Sequence, residues 1–484
     1  MSLKRDTLYN VLGSLAPVLI GMVTVPIYLH LIGDARYGVL GLVWLFLGYF
    51  GAFDPGISRA ATFHIARLHL DEQSKERESV FWTALLVNIA FGLAGAITVY
   101  AIARPLFSHF FKMPDAMRAE VLVSLPWLAA SVPVSIVGGV LVGTLQARER
   151  FDLANSTSTL NAVLSQLVPL AVAYFHGPDL KWLIPTVLIT RMAGAIPNCI
   201  YLKRVVPLGC GGGYDQTLVK TLFSYGGWVT ITNLLNPLLS TLDRMLIGGV
   251  LNAEYLAYYM VPFNLVTRAL ILPGAVASSL FPRFSKASED QIESLAARSL
   301  QDICAVFTPV VVIGIAAIPI FMQHWVGKAF AQKSASIGII LLVGVWFNGL
   351  AFIPFNYLQS RGKPHVGAIF HAAEVIPFLG ILWAGLHFYG LPGAAWAWTL
   401  RVALDSALLF AAGVKIRGWH NVFVGVLFIG LAASFSPRSL ASVQTLIELA
   451  IIGATVFWSR KLNPTIFATI QRFLSFKTRE VSAN

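Results

Sequence analysis

The sequence predicts an all-α polytopic membrane protein of about 14 transmembrane helices, and three observations predict it. Hydrophobic residues make up 56% of the 484 residues, whereas Asp, Glu, Lys and Arg make up only 12%, about half the charged share of a water-soluble domain. Uncharged runs recur at 7–33, 79–103, 121–147, 303–327 and 334–360, each long enough for a helix of about 20 residues to cross a bilayer. The runs are continuous and lack period-two alternation, which favours helices over a barrel. Together these features exclude a soluble enzyme, a disordered chain and a disulfide scaffold.

Taken in order, span 1 is predicted over 8–32, after a short head containing Lys4, Arg5 and Asp6. Its apolar run is too long for a signal-peptide core, so it is expected to be retained. Span 2, over 37–62, contains Asp54-Pro55-Gly56 and is expected to kink there. Spans 3 to 6 follow over 80–103, 119–143, 153–175 and 180–203. A stretch with Gly209, Gly211, Gly212 and Gly213 comes next; no Gly-Lys-Ser/Thr follows it, so it reads as a flexible linker rather than a phosphate loop. Spans 7 to 10 are predicted over 218–249, 256–282, 296–324 and 334–358. Spans 11 and 12, over 365–388 and 392–414, are separated by a turn at 389–392, and spans 13 and 14 cover 421–436 and 441–458. In the tail, Ile466, Phe467, Ile470, Phe473 and Leu474 fall at helical spacing beside Arg472 and Lys477, the pattern of a helix lying on a membrane surface.

The net charge of +12 is unevenly placed. With a cytoplasmic N-terminus, 23 Lys and Arg fall on the cytoplasmic side and eight on the other, while Arg191, Arg244, Arg268 and Arg401 lie inside spans. The asymmetry predicts both termini in the cytoplasm and removes any need for a nucleic-acid partner. Cys199, Cys210 and Cys304 show no paired or metal-ligating spacing, so no metal or cofactor is expected.

The chain also repeats itself. Leu145-Gln146-Ala147-Arg148-Glu149-Arg150 aligns with Leu358-Gln359-Ser360-Arg361-Gly362-Lys363 at an offset of 213, which also carries His176-Gly177 onto Tyr389-Gly390. Leu31 to Gly38 aligns with Leu251 to Tyr258 at an offset of 220. Six helices per repeat is an even number, so two six-helix lobes related by a pseudo-twofold axis along the membrane normal are expected, with two additional helices. The expected boundaries are 1–207 for the N-terminal lobe, 208–217 for the linker, 218–417 for the C-terminal lobe, 418–459 for the two extra helices and 460–484 for the tail. No nucleotide-binding motif is present, so any driving force must come from an ion or substrate gradient.

Several motifs carry a resemblance. They are Asn10-x2-Gly13-x3-Pro17-x3-Gly21-x4-Pro26, Leu31-Ile32-Gly33-x3-Tyr37-Gly38 and Asp54-Pro55-Gly56 in the first half. The second half has Asp243-Arg244-x2-Ile247-Gly248, Phe281-Pro282-Arg283-Phe284-Ser285 and Leu358-Gln359-x-Arg361-Gly362. Over nearly its whole length the chain resembles the oligosaccharide-lipid flippases of the multidrug/oligosaccharidyl-lipid/polysaccharide exporter superfamily, in particular the O-antigen and exopolysaccharide branch. The basic-acidic opening motif of the lipid II flippase relatives is absent. The resemblance implies a V-shaped pair of lobes in a bacterial inner membrane, with spans 1, 2, 7 and 8 lining a cationic cavity. It implies movement of an undecaprenyl-diphosphate-linked glycan from the cytoplasmic to the outer leaflet, among membrane lipids, with a polysaccharide polymerase and a chain-length regulator as partners.

A charge at the bilayer centre needs a partner or a wet cavity. Arg268 falls near the middle of span 8, with Asn264 one turn before it and no acid in the rest of that span. It reads either as a ligand for substrate phosphate, which suits the planar guanidinium, or as an inter-helix contact. Asn233, Asn236, Ser240 and Arg244 lie within a narrow arc of span 7, with Asp243 placed to neutralise Arg244. Asp54 is either a satisfied carboxylate at a kink or an ion-coupling site. Arg59 either snorkels or meets the diphosphate at the cytoplasmic entrance. Arg191 has no acid in its own span and stays open as a substrate contact, whereas Arg401 has Asp405 four residues on and Glu374 in span 11, an expected internal ion pair. Tyr28, Tyr37, Trp44, Tyr49, Trp228, Tyr258 and Tyr259 fit either sugar stacking or interfacial belts and packing.

The competing reading within the superfamily is a proton- or sodium-coupled drug or cation antiporter. Such a protein needs an acid in a cavity-lining helix, yet span 1 has none between Asp6 and Asp34, and cations in spans favour an anionic substrate. A membrane enzyme would need a large extracytoplasmic loop and an acid/base or nucleophile constellation; neither is evident, so the chain is read as a transporter rather than an enzyme.

Overall fold

The structure, a computed structural model, describes residues 3–54, 56–68, 74–206, 213–219, 241–413, 419–436 and 443–465. Every regular element among the described residues is helical. Nine of these helices are long and apolar enough to cross a membrane. The chain divides into two compact units, Met1–Ala257 and Tyr258–Asn484.

In the first unit, α1 runs over Leu3–Tyr49 and is broken at Gly33, whose φ of 77° is open to glycine. The break is the expected turn between spans 1 and 2. A 3-10 turn over Phe50–Phe53 then leads through Gly56, also left-handed, into α2 (Ile57–Arg67). Span 2 is therefore a broken helix that continues to Arg67. Next come α3 (Ser74–Pro105), α4 (Asp115–Ala147), α5 (Phe151–His176), α6 (Leu180–Val205) and α7, described over 241–250. One apolar cluster joins α2, α3, α4 and α6 through Ile57, Ala61, Ile65, Phe81, Leu141 and Leu202. The α3–α4 pair is close because Gly92 lies on Pro133, where an added Cβ would come within 2.6 Å of the Pro133 Cα; small residues permit such approach in membrane bundles. At the Gly33 end, Arg36 pairs with Glu120 at 2.6 Å, and Glu120 accepts the Leu180 N–H at 2.8 Å.

The second unit takes up α8 (Ala253–Val266) from Tyr258 onwards, followed by a 3-10 turn over Thr267–Leu270 and α9 (Ile271–Lys286). Span 8 is thus interrupted at mid-length by a 3-10 turn between Pro262 and Pro273, two prolines whose presence inside the span suggests a kink. α10 (Glu289–Trp325) starts seven residues before the predicted 296, because Ser288 and Gln291 form a reciprocal capping box. α11 (Lys328–Ser360) and α12 (Pro364–Ala412) follow, and α12 is broken at Gly390, with φ 62°, inside the turn expected at 389–392. α13 (Trp419–Phe435) and α14 (Val443–Leu462) complete the unit. Counting the pieces of α1 and α12 on either side of their glycines separately, and joining the pieces flanking each 3-10 turn, recovers the fourteen expected helices among the described residues. Trp346, fully buried, donates its indole N–H to Thr308 Oγ1 at 3.1 Å and packs under Gly425, fastening α13 to α10 and α11. Large apolar side chains such as Ile97, Val123, Ile376 and Phe423 remain exposed on the bundle surfaces, as lipid-facing positions require. The amphipathic tail beyond Thr465 and residues 208–212 of the linker lie outside the described residues.

Candidate functional site: polar groups at the broken helices

In the first unit the polar groups gather at the break between α1 and α2. Asp54 accepts the Ile57 N–H at 2.8 Å and the Ser58 N–H at 3.2 Å, capping the start of α2. Its carboxylate thus satisfies donors that a helix start leaves free. On the other side of the break, Arg191 of α6 donates to the Leu47 carbonyl at 3.1 Å and to Ser135 Oγ of α4 at 2.7 Å. Leu47 lies in the last turn of α1, where carbonyls lack intrahelical partners. Asn88 of α3, fully buried, donates to Ser58 Oγ at 3.1 Å. Asn88 and Ser135 were not foreseen; an amide or hydroxyl inside an apolar run is a faint signal. Arg59, one turn into α2, is exposed.

In α7, Arg244 and Asp243 form an ion pair at 3.1 Å, with side chains only 4% and 1% exposed. Asn233, Asn236, Ser240 and Trp228 lie outside the described residues. Tyr28, Tyr37 and Trp44 form one aromatic cluster with centroids 5.4 to 6.3 Å apart. The Tyr28 hydroxyl donates to the Gln166 carbonyl at 2.6 Å. Tyr258 and Tyr259 are buried as well. These five rings serve packing in the described structure.

In the second unit, Arg268 sits within the 3-10 turn that interrupts α8 and α9, and Asn264 is one turn before it. Both side chains are exposed, and neither makes a hydrogen bond or ion pair among the described residues. The 3-10 turn is held locally by the Thr267 hydroxyl, which donates to the Phe263 carbonyl at 2.7 Å. Farther along the unit, Arg401 pairs with Glu374 at 3.3 Å, while Asp405 pairs with His371 at 3.4 Å. The expected internal ion pair is present, made with Glu374 across the Gly390 turn rather than with Asp405 along the helix. His371 was not foreseen, although it lies three residues before Glu374, on the same helix face.

The two breaks therefore differ. In the first unit, Asp54 and Arg191 are engaged by the backbone around the break, and the exposed Arg59 lies within electrostatic reach of Asp54. In the second unit, Arg268 and Asn264 present an unpaired cation and an amide. Such a set can accept an anion with several oxygens through charge-assisted hydrogen bonds. No group of three or more His, Cys, Asp or Glu side chains suited to a metal ion occurs among the described residues.

Residues 3–288 match the polysaccharide biosynthesis protein family. A Shigella flexneri protein assigned as an O-antigen transporter is 27% identical over 410 residues, covering 84% of this chain and 97% of that protein. Among solved structures, the lipid II flippase MurJ in an inward closed conformation aligns with a TM-score of 0.70 at 12% identity, over 94% of this chain and 99% of its own. An inward-facing multidrug transporter of the MATE family aligns with a TM-score of 0.69 at 14% identity, over 90% of this chain and 97% of its own. These two structural likenesses establish the shared fold.

Proposed function

The chain belongs to the polysaccharide biosynthesis protein family, and from that premise we propose that it is a flippase for a lipid-linked oligosaccharide. Its substrate is an undecaprenyl-diphosphate-linked repeat unit, carried from the cytoplasmic to the outer leaflet by alternating access for surface polysaccharide assembly. The observation that carries this reading is the unpaired Arg268 with Asn264 at the break in span 8. An unpaired cation deep in a span is costly unless an anion visits it, and a diphosphate supplies that anion while its polyprenyl tail stays in lipid. Arg59 makes first contact at the cytoplasmic mouth of the first unit. Arg244, Asn233 and Asn236 are taken as further substrate contacts, and Asp243 holds Arg244 in place. Arg191 contributes by holding the first break rather than by touching substrate.

The antiporter alternative is weaker. It needs a free acid near the entrance helices, and Asp54 is already engaged in capping α2. The lobe boundaries drawn from the repeat, residence in a bacterial inner membrane with both termini cytoplasmic, and partnership with a polymerase and a chain-length regulator belong to the same proposal.

The test is binding. A fluorescent undecaprenyl diphosphate is titrated against the full-length protein in lipid nanodiscs. Arg268→Ala is expected to weaken binding by about 10- to 100-fold, as expected when a charged hydrogen-bonding group is lost. Equal affinity of wild type and Arg268→Ala overturns the assignment.

A further inference from the structure

All four members of one ionisable cluster, of which Glu374 is buried and the others are partly buried, belong to α12. His371 and Glu374 precede the Gly390 turn; Arg401 and Asp405 follow it. Glu374 lies ten residues from the start of α12 and Arg401 lies eleven past Gly390, placing both about 15 Å from the helix ends at 1.5 Å per residue. That is the middle of a hydrocarbon core about 30 Å thick.

Charge decides what the cluster needs. Two carboxylates face one guanidinium, so with a neutral imidazole the group carries one net negative charge in the least polar part of the bilayer. Glu374 faces Asp405 as well as Arg401, and like charges at close range repel one another. Glu374 is only 4% exposed, and among the described residues its Oε1 has no hydrogen-bond partner; Asp405 Oδ1 has none either, with the His371 ring 3.4 Å away.

The described stretches of the surrounding elements carry few ionisable groups. α11 carries no ionisable side chain between Lys333 and Arg361 except Tyr357, and its Phe355 stacks on the His371 ring with centroids 6.4 Å apart. From α8, Phe263 packs edge-on against Trp398 at 5.2 Å. Between Glu254 and Arg283 the α8–α9 segment adds only Arg268 and the phenols of Tyr255, Tyr258 and Tyr259. α13 adds His420 near its start, where Trp419 meets Phe410.

We propose that His371, Glu374, Arg401 and Asp405 form a binding site for one exchangeable proton, and that its occupancy drives movement of the substrate assigned above. The proton arrives from water and sits on the His371 imidazole, completing an ion pair with Asp405, or on one of the facing carboxyls. Either placement brings the cluster to neutrality, and its loss restores the net negative charge. The link to substrate is short. Trp398 lies three residues before Arg401, and its partner Phe263 immediately precedes Asn264. A change in how Arg401 is held is thus passed to the break that carries Arg268. This coupling rests on the flippase reading, whereas proton binding itself does not.

The experiment has two arms, both on the full chain in liposomes. In the first, infrared spectra are recorded across pH without any lipid-linked glycan, in a Glu448→Gln background that removes another buried carboxyl. A protonated-carboxyl band or an imidazole signal that titrates, and that is lost or shifted in Glu374→Gln, Asp405→Asn and His371→Gln, is the expected result. Spectra whose titration is the same in these variants overturn the site, whatever the protein transports. In the second arm, a pH difference is imposed and the distribution of a fluorescent undecaprenyl-diphosphate oligosaccharide between leaflets is read. One proton per cycle shifts that ratio by at most about tenfold per pH unit, and Glu374→Gln is expected to abolish the shift. A wild-type ratio that ignores the gradient overturns the coupling, whereas loss of all transfer in wild type would overturn the flippase reading instead.

Discussion

Glu149 and Gly362 occupy the same left-handed turn in two hairpins 213 residues apart, with φ of 56° and 68°. Two of the backbone hydrogen bonds around them match. Arg150 N–H donates to the Leu145 carbonyl and Lys363 N–H to the Leu358 carbonyl; Glu149 N–H donates to Gln146 and Gly362 N–H to Gln359. The repeat that was visible in Leu-Gln-x-Arg is therefore a repeat of backbone geometry. The residue at the turn itself differs, Glu149 against Gly362, and a side chain there costs about 1–2 kcal/mol that glycine avoids. Glu149→Gly is accordingly expected to raise the thermal midpoint of the purified protein in detergent. Gly362→Ala, which meets no neighbouring atom within 4 Å, is expected to lower it through φ alone. Equal midpoints would show that the turn does not hold the strain that its dihedral implies.

The arginine of each hairpin also has a shared task. Arg148 donates to the carbonyl of Leu68, the residue that closes α2, at 2.9 Å, and Arg361 donates to the carbonyl of Ala287, the residue that closes α9, at 3.4 Å. Each one satisfies a carbonyl that a helix end leaves free. Arg148→Ala is expected to speed hydrogen exchange in the last turn of α2, at 64–67, by about tenfold while α5 is unchanged. Uniform exchange across both helices would remove the cap from the account.

Arg191 tests the difference between holding a helix and binding substrate. Removing it leaves the Leu47 carbonyl unpaired, at a cost of about 1–3 kcal/mol for a buried acceptor. Arg191→Ala is expected to lower thermal stability and substrate binding together, and Arg191→Lys to recover part of both. Full stability with lost binding would make Arg191 a substrate ligand after all.

Glu448 of α14 is 1% exposed, and neither carboxylate oxygen has a hydrogen-bond partner among the described residues. A charged carboxylate so placed is unfavourable, so Glu448→Gln, which keeps the shape and removes the need for a proton, is expected to leave stability unchanged or raised at neutral pH. A loss of more than about 1 kcal/mol in a denaturation series would instead reveal an interaction of the ionised side chain.

Much of this was legible in the residues. Uncharged runs of span length mark the helices, and Gly33, Gly390 and Asp54-Pro55-Gly56 mark where they break, because glycine and proline act locally. The Arg401–Glu374 pair was visible because buried opposite charges seek one another. The break in span 8 was harder to see: Pro273-Gly274 stands near it, but the 3-10 turn itself lies three to six residues earlier, at Thr267–Leu270. The partners of Arg191 were not visible at all. They are a main-chain carbonyl, which every residue possesses, and one serine among many. The pairing of His371 with Asp405 depends on how tightly α12 folds back at Gly390, a tertiary distance that no local pattern encodes.

The most direct measurement of the central claim is transfer itself. Liposomes containing the purified protein and a fluorescent undecaprenyl-diphosphate oligosaccharide are quenched from outside with a membrane-impermeant reductant, and the fraction quenched is followed in time. The account predicts that wild type exposes nearly all of the label, that Arg268→Ala slows exposure at least tenfold, and that Arg268→Lys falls between them. Exposure no faster than in protein-free liposomes, or equal in wild type and Arg268→Ala, would contradict it.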